Sequence, residues 1–407
     1  MPSSSDPSPR SSLLPLSRGL VLLLAAMTAI GPLSIDMYLP SLGNIARSLA
    51  VPIASVQPTV AIFFVGLAAG QLVYGPLSDR LGRRGPLLFG TLVFVAGSLA
   101  SASAASLPVL LCGRLAQALG ACGCVVISRA VIRDALELHE SARLFSLLAL
   151  ISGVAPICAP GIGAAVLHVA GWRGIFACLA VFGAVLTLWV WRLLPETRSP
   201  HTAERARDEH PLRGYLQLLR RRRLVGFLGA GAFNGAAMFT YIAASPTVFM
   251  DVYHLTPTRF SLLFGLNSVG LVAASQLNRW LLGRFSVAEV LRGTRVCCVG
   301  VAGWIAFAAF SGFGGLAGVA APLFLAISTV SLVQSNALAG ALASDATRAG
   351  STAALYGASS FAAGALLAWV SGVFYDHTAR PMAFTIAACF IGCALTIGWA
   401  LRHESAP

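Results

Sequence analysis

The chain has 407 residues, of which 57% are hydrophobic and only 11% charged, and its mean hydropathy is +0.79. That charge fraction is less than half of what a soluble domain carries, which excludes a water-soluble enzyme or binding module and leaves an integral membrane protein. All 28 basic residues are arginine and the net charge is +13, yet they fall in short loops between apolar runs, where they set topology and do not imply nucleic acid.

Apolar runs of about 18 to 25 residues recur along the whole chain, which predicts a helical bundle and not a membrane barrel of alternating strands. Residues 1–17 are Ser/Pro-rich and read as a disordered tail. The first run, 18–40, has no clear small-residue cleavage site and reads as a retained helix, not a signal peptide. It ends in Ile35–Pro40, IDMYLP. Asp36 lies about 17 residues from Gly19, or roughly 26 Å along a helix, against a hydrocarbon core of about 30 Å. A carboxylate in that outer part of the membrane is a functional candidate; the alternative is an interfacial acid that marks a helix end.

Further helices are predicted at 55–77, 86–105, 108–132, 143–168 and 174–194, which gives an N-terminal six-helix bundle over 18–194. Residues 195–224 are rich in charge, contain Pro and His, and close on Arg220–Arg223; they read as a cytoplasmic linker whose arginines set topology or touch anionic lipid. Six more helices at 225–250, 259–282, 293–312, 316–342, 352–374 and 381–401 make a C-terminal bundle over 225–401, followed by a tail at 402–407. DRLGRR from Asp79 returns in degraded form as NRWLLGR from Asn278, after the second helix of each half. Parallel six-helix halves that rock about a midplane cavity are an architecture for alternating access. Twelve helices put both termini on one side. Apart from Arg47, Arg173, Arg259, Arg380 and the interior Arg114, the arginines fall on that side, which is therefore cytoplasmic.

The stretch after the second helix reads GPLSDRLGRRGP, Gly75–Pro86. Glycines at 75, 82 and 85 permit a tight turn and close helix approach, and Asp79 faces Arg80, Arg83 and Arg84. These residues form either a topology-setting basic loop or a clasp whose charge pairs form in one state and part in another. Helix 4 buries Arg114 about 9 Å below the outer surface, at a depth like that of Asp36, so its permanent charge needs a carboxylate, backbone carbonyls or water. The two residues are a static ion pair or a working one, and the sequence leaves their contact open. Helix 5 carries Gly153, Pro156, Pro160, Gly161 and Gly163, a pattern for a kinked and closely packed surface. The second half has no ionisable residue at membrane depth; Asp251 and Asp376 fall at helix ends. It offers a neutral wall of Asn234, Tyr241, Asn267, Gln334, Asn336 and Tyr356. The nine cysteines, among them Cys122, Cys124, Cys297 and Cys298, read as small buried hydrophobes, and no metal-ligand spacing occurs.

The Gly75–Arg84 stretch resembles the signature loop of the major facilitator superfamily, G-x-x-x-D-R-x-G-R-R, departing at the final basic position, where Gly85 stands. The resemblance implies that Asp79 helps hold the two halves together in an outward-facing state. It also implies that Asp134, in RAVIRD at the end of helix 4, pairs with Arg83 or Arg80, and that Arg114, which with the following Gln117 resembles the superfamily's helix-4 motif, serves proton coupling. The helix-5 stretch resembles the motif of the superfamily's antiporters, without its strict G-P-x-x-G order. IDMYLP and APICAP together resemble the bicyclomycin/chloramphenicol-resistance branch of drug and proton antiporters.

The expected fold is thus an all-α membrane protein of twelve transmembrane helices, two six-helix halves related by a pseudo-two-fold axis. The expected function is proton-coupled efflux of small amphiphilic compounds, such as bicyclomycin- or chloramphenicol-like antibiotics. Asp36 and Arg114 would couple the proton. Asp36, Tyr38, Gln117, Asn234, Tyr241, Asn267, Gln334 and Tyr356 would line the substrate cavity, and Gly75, Asp79, Arg80, Gly82, Arg83, Arg84 and Asp134 would form the cytoplasmic gate. Partners are a small-molecule substrate, protons and the lipid bilayer, with no nucleic acid, cofactor or metal, and the chain would work as a monomer in the inner membrane. The alternatives are a proton-coupled metabolite transporter and a receptor or scaffold without transport. No nucleophile, base and oxyanion-donor cluster suggests an enzyme.

Overall fold

The computed structural model of the protein describes residues 18–135, 138–198, 204, 211–345 and 348–402. The expected tail at 1–17, all of the expected tail at 402–407 except Arg402, which ends the last helix, and much of the expected linker at 195–224 lie outside them. The described residues are helical and contain no strand. The spanning helices are α1 (Arg18–Asp36), α2 (Pro58–Leu81), α3 (Arg84–Ala102) and α4 (Leu107–Ala135), then the run Leu138–Leu193, then α7 (Arg222–Pro246), α8 (Pro257–Leu282), α9 (Val287–Ser311), α10 (Gly315–Ser344), α11 (Ala349–Val373) and α12 (Arg380–Arg402). The run Leu138–Leu193 supplies α5 and α6. Its apolar part, 44 residues long, would extend about 66 Å, twice the hydrocarbon core. It breaks at Gly171, whose φ of 67° and ψ of −176° are non-helical, so the eleven apolar runs among the described residues make twelve crossings.

Local chemistry sets several of these boundaries. Pro58 and Pro257 stand in first-turn positions, where a missing N–H costs nothing. Ser286 and Glu289 form a reciprocal capping box at the start of α9. Inside the first half, α3 and α4 approach almost backbone to backbone, and a Cβ added at Gly97 or Gly120 would strike main-chain atoms of the other helix.

α1–α6 and α7–α12 form the two halves. Within them α4 packs on α2 and α3, and α7 on α11 and α12. The halves meet along two seams, α2 with α11 and α5 with α8. Under the six-helix repeat α2 corresponds to α8 and α5 to α11, so the seams are equivalent. The end carrying Arg80, Arg83 and Arg84, called the basic end below, also holds Arg221 bound to Asp345 at 3.1 Å and Arg348 bound to Gln217 at 2.5 Å. At the opposite end Arg173 bonds Ser48 and the Ala104 carbonyl, and Arg380 bonds the Ala309 carbonyl. Here the seams carry Gln57 donating to Thr247 at 2.7 Å and Ser261 donating to the Pro160 carbonyl at 3.1 Å. Between the two ends, Phe64, Phe239 and Phe361 stack across the α2–α11 seam, with neighbouring ring centres 4.3 and 4.9 Å apart.

Not all nine cysteines are buried. Cys112, Cys158, Cys178 and Cys297 are exposed, and the rest are buried. In a membrane protein the lipid-facing surface is as apolar as the core, so hydropathy could not separate the two sets.

Candidate functional site

Asp36 is the last residue of α1, and Pro40 explains why. Proline has no N–H, so the Asp36 carbonyl has no donor four residues on and the α-helical hydrogen-bond ladder is interrupted there. The chain turns at Met37 and Tyr38, forms a short 3₁₀ helix over Leu39–Ser41 and resumes as Leu42–Ser48. The helix expected to end at residue 40 is therefore a broken run that continues to Ser48, and Asp36 sits at the break, not at the end. It is 3% exposed. Among the described residues its carboxylate has no hydrogen-bond or ion-pair partner. It lies close enough to Tyr241 of α7, in the other half, to act on it electrostatically.

Arg114 is fully buried and does not pair with Asp36. Its Nη1 donates to the Ser34 carbonyl at 2.9 Å and to Gln117 Oε1 at 2.5 Å, and Nε donates to the Thr59 carbonyl at 3.4 Å. Its guanidinium carbon stands 4.3 Å from the Phe63 ring centre, 4.7 Å from that of Tyr38 and 5.7 Å from that of Phe176. The cation is thus held by carbonyls, an amide and three ring faces, an arrangement that stabilises a desolvated guanidinium without a counter-ion. Tyr38 and Gln117 belong to this cradle. Tyr38 shares a hydrogen bond with Thr59 Oγ1, and Gln117 donates to Ser98 at 2.8 Å. Both are completely buried.

In the second half Tyr241 accepts a 2.7 Å hydrogen bond from Asn267 and stacks on Phe264 at 5.4 Å. Asn234 donates to the Val330 carbonyl and to Gln334 at 3.4 Å, and Tyr356 donates to the Gln334 carbonyl at 3.4 Å. Asn336 is drawn away from this group by Asn278, at 2.7 Å. Among the described residues, the side-chain carbonyl oxygens of Asn234 and Asn267 have no hydrogen-bond donor. Tyr241 and Asn267 therefore make one hydrogen-bonded pair, within electrostatic reach of Asp36, and Asn234, Gln334 and Tyr356 a second group nearer the basic end of α10 and α11.

At the basic end Arg83 is 1% exposed. It bridges Asp79 at 2.5 Å and Asp134 at 2.8 Å and also donates to Ser78 at 2.7 Å. Burial alone would weaken its hold on its proton, but the Asp134 and Asp79 carboxylates outweigh that and raise its pKa. Helix α2 runs on to Leu81, so Asp79 lies in its last turn and not in a loop; the connection to α3 is Gly82 and Arg83 alone. Of the three glycines only Gly82 is required by its conformation, with φ of 95°; nothing approaches Gly75 or Gly85. Arg84 donates to the Trp191 carbonyl at 2.5 Å.

Two residues here escaped the sequence reading. Glu196 accepts the backbone N–H groups of Arg83 at 2.8 Å, Arg84 at 3.3 Å and Arg198 at 2.9 Å, which caps the start of α3. Burial pushes its carboxyl pKa up, but these hydrogen bonds more than offset that and hold it below the ordinary 4.5. Arg198 donates to the carbonyls of Arg80 at 2.5 Å and Asp79 at 3.3 Å, closing the end of α2. The signal was an acid and a base immediately after Pro195, two residues apart, read only as part of a charged linker.

In α5 the expected close packing is uneven. Gly153 meets Val272 of α8, the Pro160 carbonyl receives Ser261, and nothing approaches Gly161. Gly163 packs directly on the backbone of Met37, with no space for a methyl group. The turn that carries Asp36 is therefore seated on α5.

A family model described as Major Facilitator Superfamily matches residues 24–368. The chain is 32% identical over 368 residues to the "Uncharacterized MFS-type transporter YdgK" of Bacillus subtilis (strain 168), which covers 89% of this chain and 90% of that protein. It is 28% identical over 371 residues to a "Bicyclomycin resistance protein homolog" of Haemophilus influenzae, covering 91% and 93%. To a "Chloramphenicol resistance protein" of Pseudomonas aeruginosa it is 30% identical over 345 residues, covering 83% and 79%. Among solved structures, a peptide transporter in complex with sulfate superposes with a TM-score of 0.75 at 14% identity, covering 95% of this chain and 96% of that one. The xylose transporter XylE from E. coli gives 0.71 at 14% identity, covering 96% and 97%.

Proposed function

The chain belongs to the major facilitator superfamily, and from that premise we propose that it exports small amphiphilic compounds across the inner membrane in exchange for protons. The basic end faces the cytoplasm, since most arginines lie there. The observation that carries the reading is Asp36: a buried carboxylate without a partner among the described residues, at a helix break and within electrostatic reach of Tyr241 in the second half.

An ionised Asp36 needs a counter-charge, water or donors around it, whereas a protonated one does not. Its charge state therefore selects which arrangement of the halves is comfortable. Protonated from outside, the carrier turns inward; the proton leaves to the cytoplasm, substrate binds, and the loaded carrier turns outward. Arg114, held in its own cradle, provides a fixed positive field behind the site and does not consume the acid. Tyr241, Asn267, Asn234, Gln334 and Tyr356 offer a neutral wall with free amide oxygens, suited to compounds that bring a hydroxyl or amide donor. Arg83, with Asp79, Asp134 and Arg84, forms the cytoplasmic gate. One proton moving down about one pH unit and 100 mV releases about 3.7 kcal/mol, enough for a gradient of about 500-fold in a neutral substrate. The resistance named for two of the relatives supports antibiotics as the substrate class.

The test is proton release from purified protein on addition of chloramphenicol or bicyclomycin. Wild type is expected to release protons and Asp36→Asn none, with Arg114→Ala impaired. Undiminished release from Asp36→Asn would remove this acid from the mechanism.

A further inference from the structure

The connection between the halves contains a short helix, Pro211–Leu219, with three different faces. At 3.6 residues per turn, Tyr215 and Leu218 share one face, Leu216 and Leu219 the next, and Arg213, Gln217 and Arg220 the third. The Arg220 N–H still bonds the Gln217 carbonyl, so the last helical turn reaches it. The first face is docked on the protein: Leu218 is fully buried, and the Tyr215 hydroxyl donates to the Leu72 carbonyl of α2 at 3.3 Å. The second is apolar and open, with Leu216 62% and Leu219 47% exposed. The third is polar and exposed, and Gln217 there accepts the Arg348 bond that ties the helix to the start of α11.

The depth of the helix determines what its open face meets. Leu72 stands nine residues before Leu81, the end of α2, or about 14 Å along the axis. Tyr215 is also within electrostatic reach of Asp79 in the last turn of α2. The linker helix therefore lies beside the last turns of α2 and not beyond them. Trp191 and Trp280 mark the edge of the bilayer at the same end. They are 56% and 52% exposed, with Arg84 on the Trp191 carbonyl and the Arg284 guanidinium 4.0 Å from the Trp280 ring. Aromatic and arginine side chains so placed belong at the boundary between headgroups and acyl chains. A helix in that boundary, flush against a protein wall, has protein, hydrocarbon and headgroups as its three neighbours. The docked, apolar and charged faces match them in kind.

We propose that the linker helix is an interfacial anchor on the phospholipid surface, with Leu216 and Leu219 among the first acyl carbons and Arg213 and Arg220 at headgroup phosphates. Arginine suits this place, because its stem lies along apolar surface while the guanidinium meets phosphate. The occupant is the bilayer and not another protein. Two leucines offer far less surface than the roughly 800 Å² per partner of a stable protein interface, and Val73 and Leu81 of α2, on either side of the docked face, are themselves 55% and 68% exposed, as lipid-facing residues are. The anchor is independent of the transport reading and stands or falls without it.

Nitroxide labels on the full chain, reconstituted in nanodiscs of phosphatidylcholine and phosphatidylglycerol, test it. Cys112, Cys158, Cys178 and Cys297, the exposed cysteines, are first replaced by alanine, and Arg213→Cys, Leu216→Cys and Leu219→Cys are then labelled one at a time. Labels at 216 and 219 are expected to collide strongly with oxygen, which concentrates in hydrocarbon, and weakly with a water-soluble nickel chelate; the label at 213 should do the reverse. Nickel collision at 216 and 219 as strong as at 213 would overturn the proposal. So would shelter from both reagents, which a protein partner or a second copy covering the face would give. Proteolysis of the unlabelled chain in the same nanodiscs is the second measurement. Leu216→Asp combined with Leu219→Asp puts charge into the acyl boundary and leaves Tyr215 and Leu218 in place. Trypsin should then cut after Arg213 about tenfold faster than in wild type, which corresponds to about 1.4 kcal/mol. Cleavage elsewhere should not change, which separates release of this helix from unfolding of the bundle. An unchanged rate at Arg213 would overturn the anchor as well.

Discussion

Two buried arginines in the first half make an instructive pair. Arg83 and Arg114 are 1% and 0% exposed, yet one is neutralised and the other is not. Arg83 meets two carboxylates and a hydroxyl at the basic end; Arg114 meets carbonyls, one amide and three aromatic faces. A cation bound to carboxylates loses its place in the fold when those acids move apart. A cation in an aromatic cradle keeps both its place and its charge. Burial alone therefore says little about an arginine's task; the charge of its neighbours says more.

The contrast can be broken most directly by removing each charge in turn. Arg83→Met leaves Asp79 and Asp134 without their cation and is expected to cost about 3–5 kcal/mol. Arg114→Met removes a desolvated charge that no acid depends on, so its unfolding midpoint should move by less than half as much, while substrate-induced proton release falls. Equal losses of stability, measured by thermal unfolding in one detergent, would mean that Arg114 has an acidic partner after all. A smaller perturbation reaches the Arg114 side alone. Gly163→Ala presses on Met37, next to Tyr38 of the cradle, and overpacking of this kind costs about 1–3 kcal/mol; double substitution with Arg83→Met should be additive if the two sites are separate. The smallest effect is on the Arg83 side. Because the Glu196 carboxyl is held below its ordinary value of 4.5, its contribution is present above that pH and is lost as pH falls through the depressed value. The stability gap between wild type and Glu196→Gln should thus close on acidification, and a gap that widens would contradict the capping role.

Helix number and the repeat of six were legible in the sequence, because long apolar runs leave few alternatives; the pairing of Asp134 came from the family resemblance, which left Arg83 and Arg80 both open as its partner. The Asp36 break was half legible: Pro40 was visible, but hydropathy continued smoothly through it and could not say that the chain resumes as helix to Ser48. The cradle of Arg114 was hidden, since Phe63, Tyr38 and Phe176 come from α2, the turn after α1 and α6, and none is unusual in its own run. Glu196 and Arg198 were hidden for the opposite reason: their neighbours in sequence are charged too, and only the fold separates a cap from a solvated run.

The contact of Gly163 with Met37 has a mechanical consequence. Main-chain atoms touching main-chain atoms cannot yield as side chains do, so the Asp36 turn and α5 behave as one stiff strut. One turn along that strut, the Pro160 carbonyl holds Ser261 of the other half. A displacement of a few tenths of an ångström at the acid therefore arrives at the α5–α8 seam undamped, with α5 as the lever.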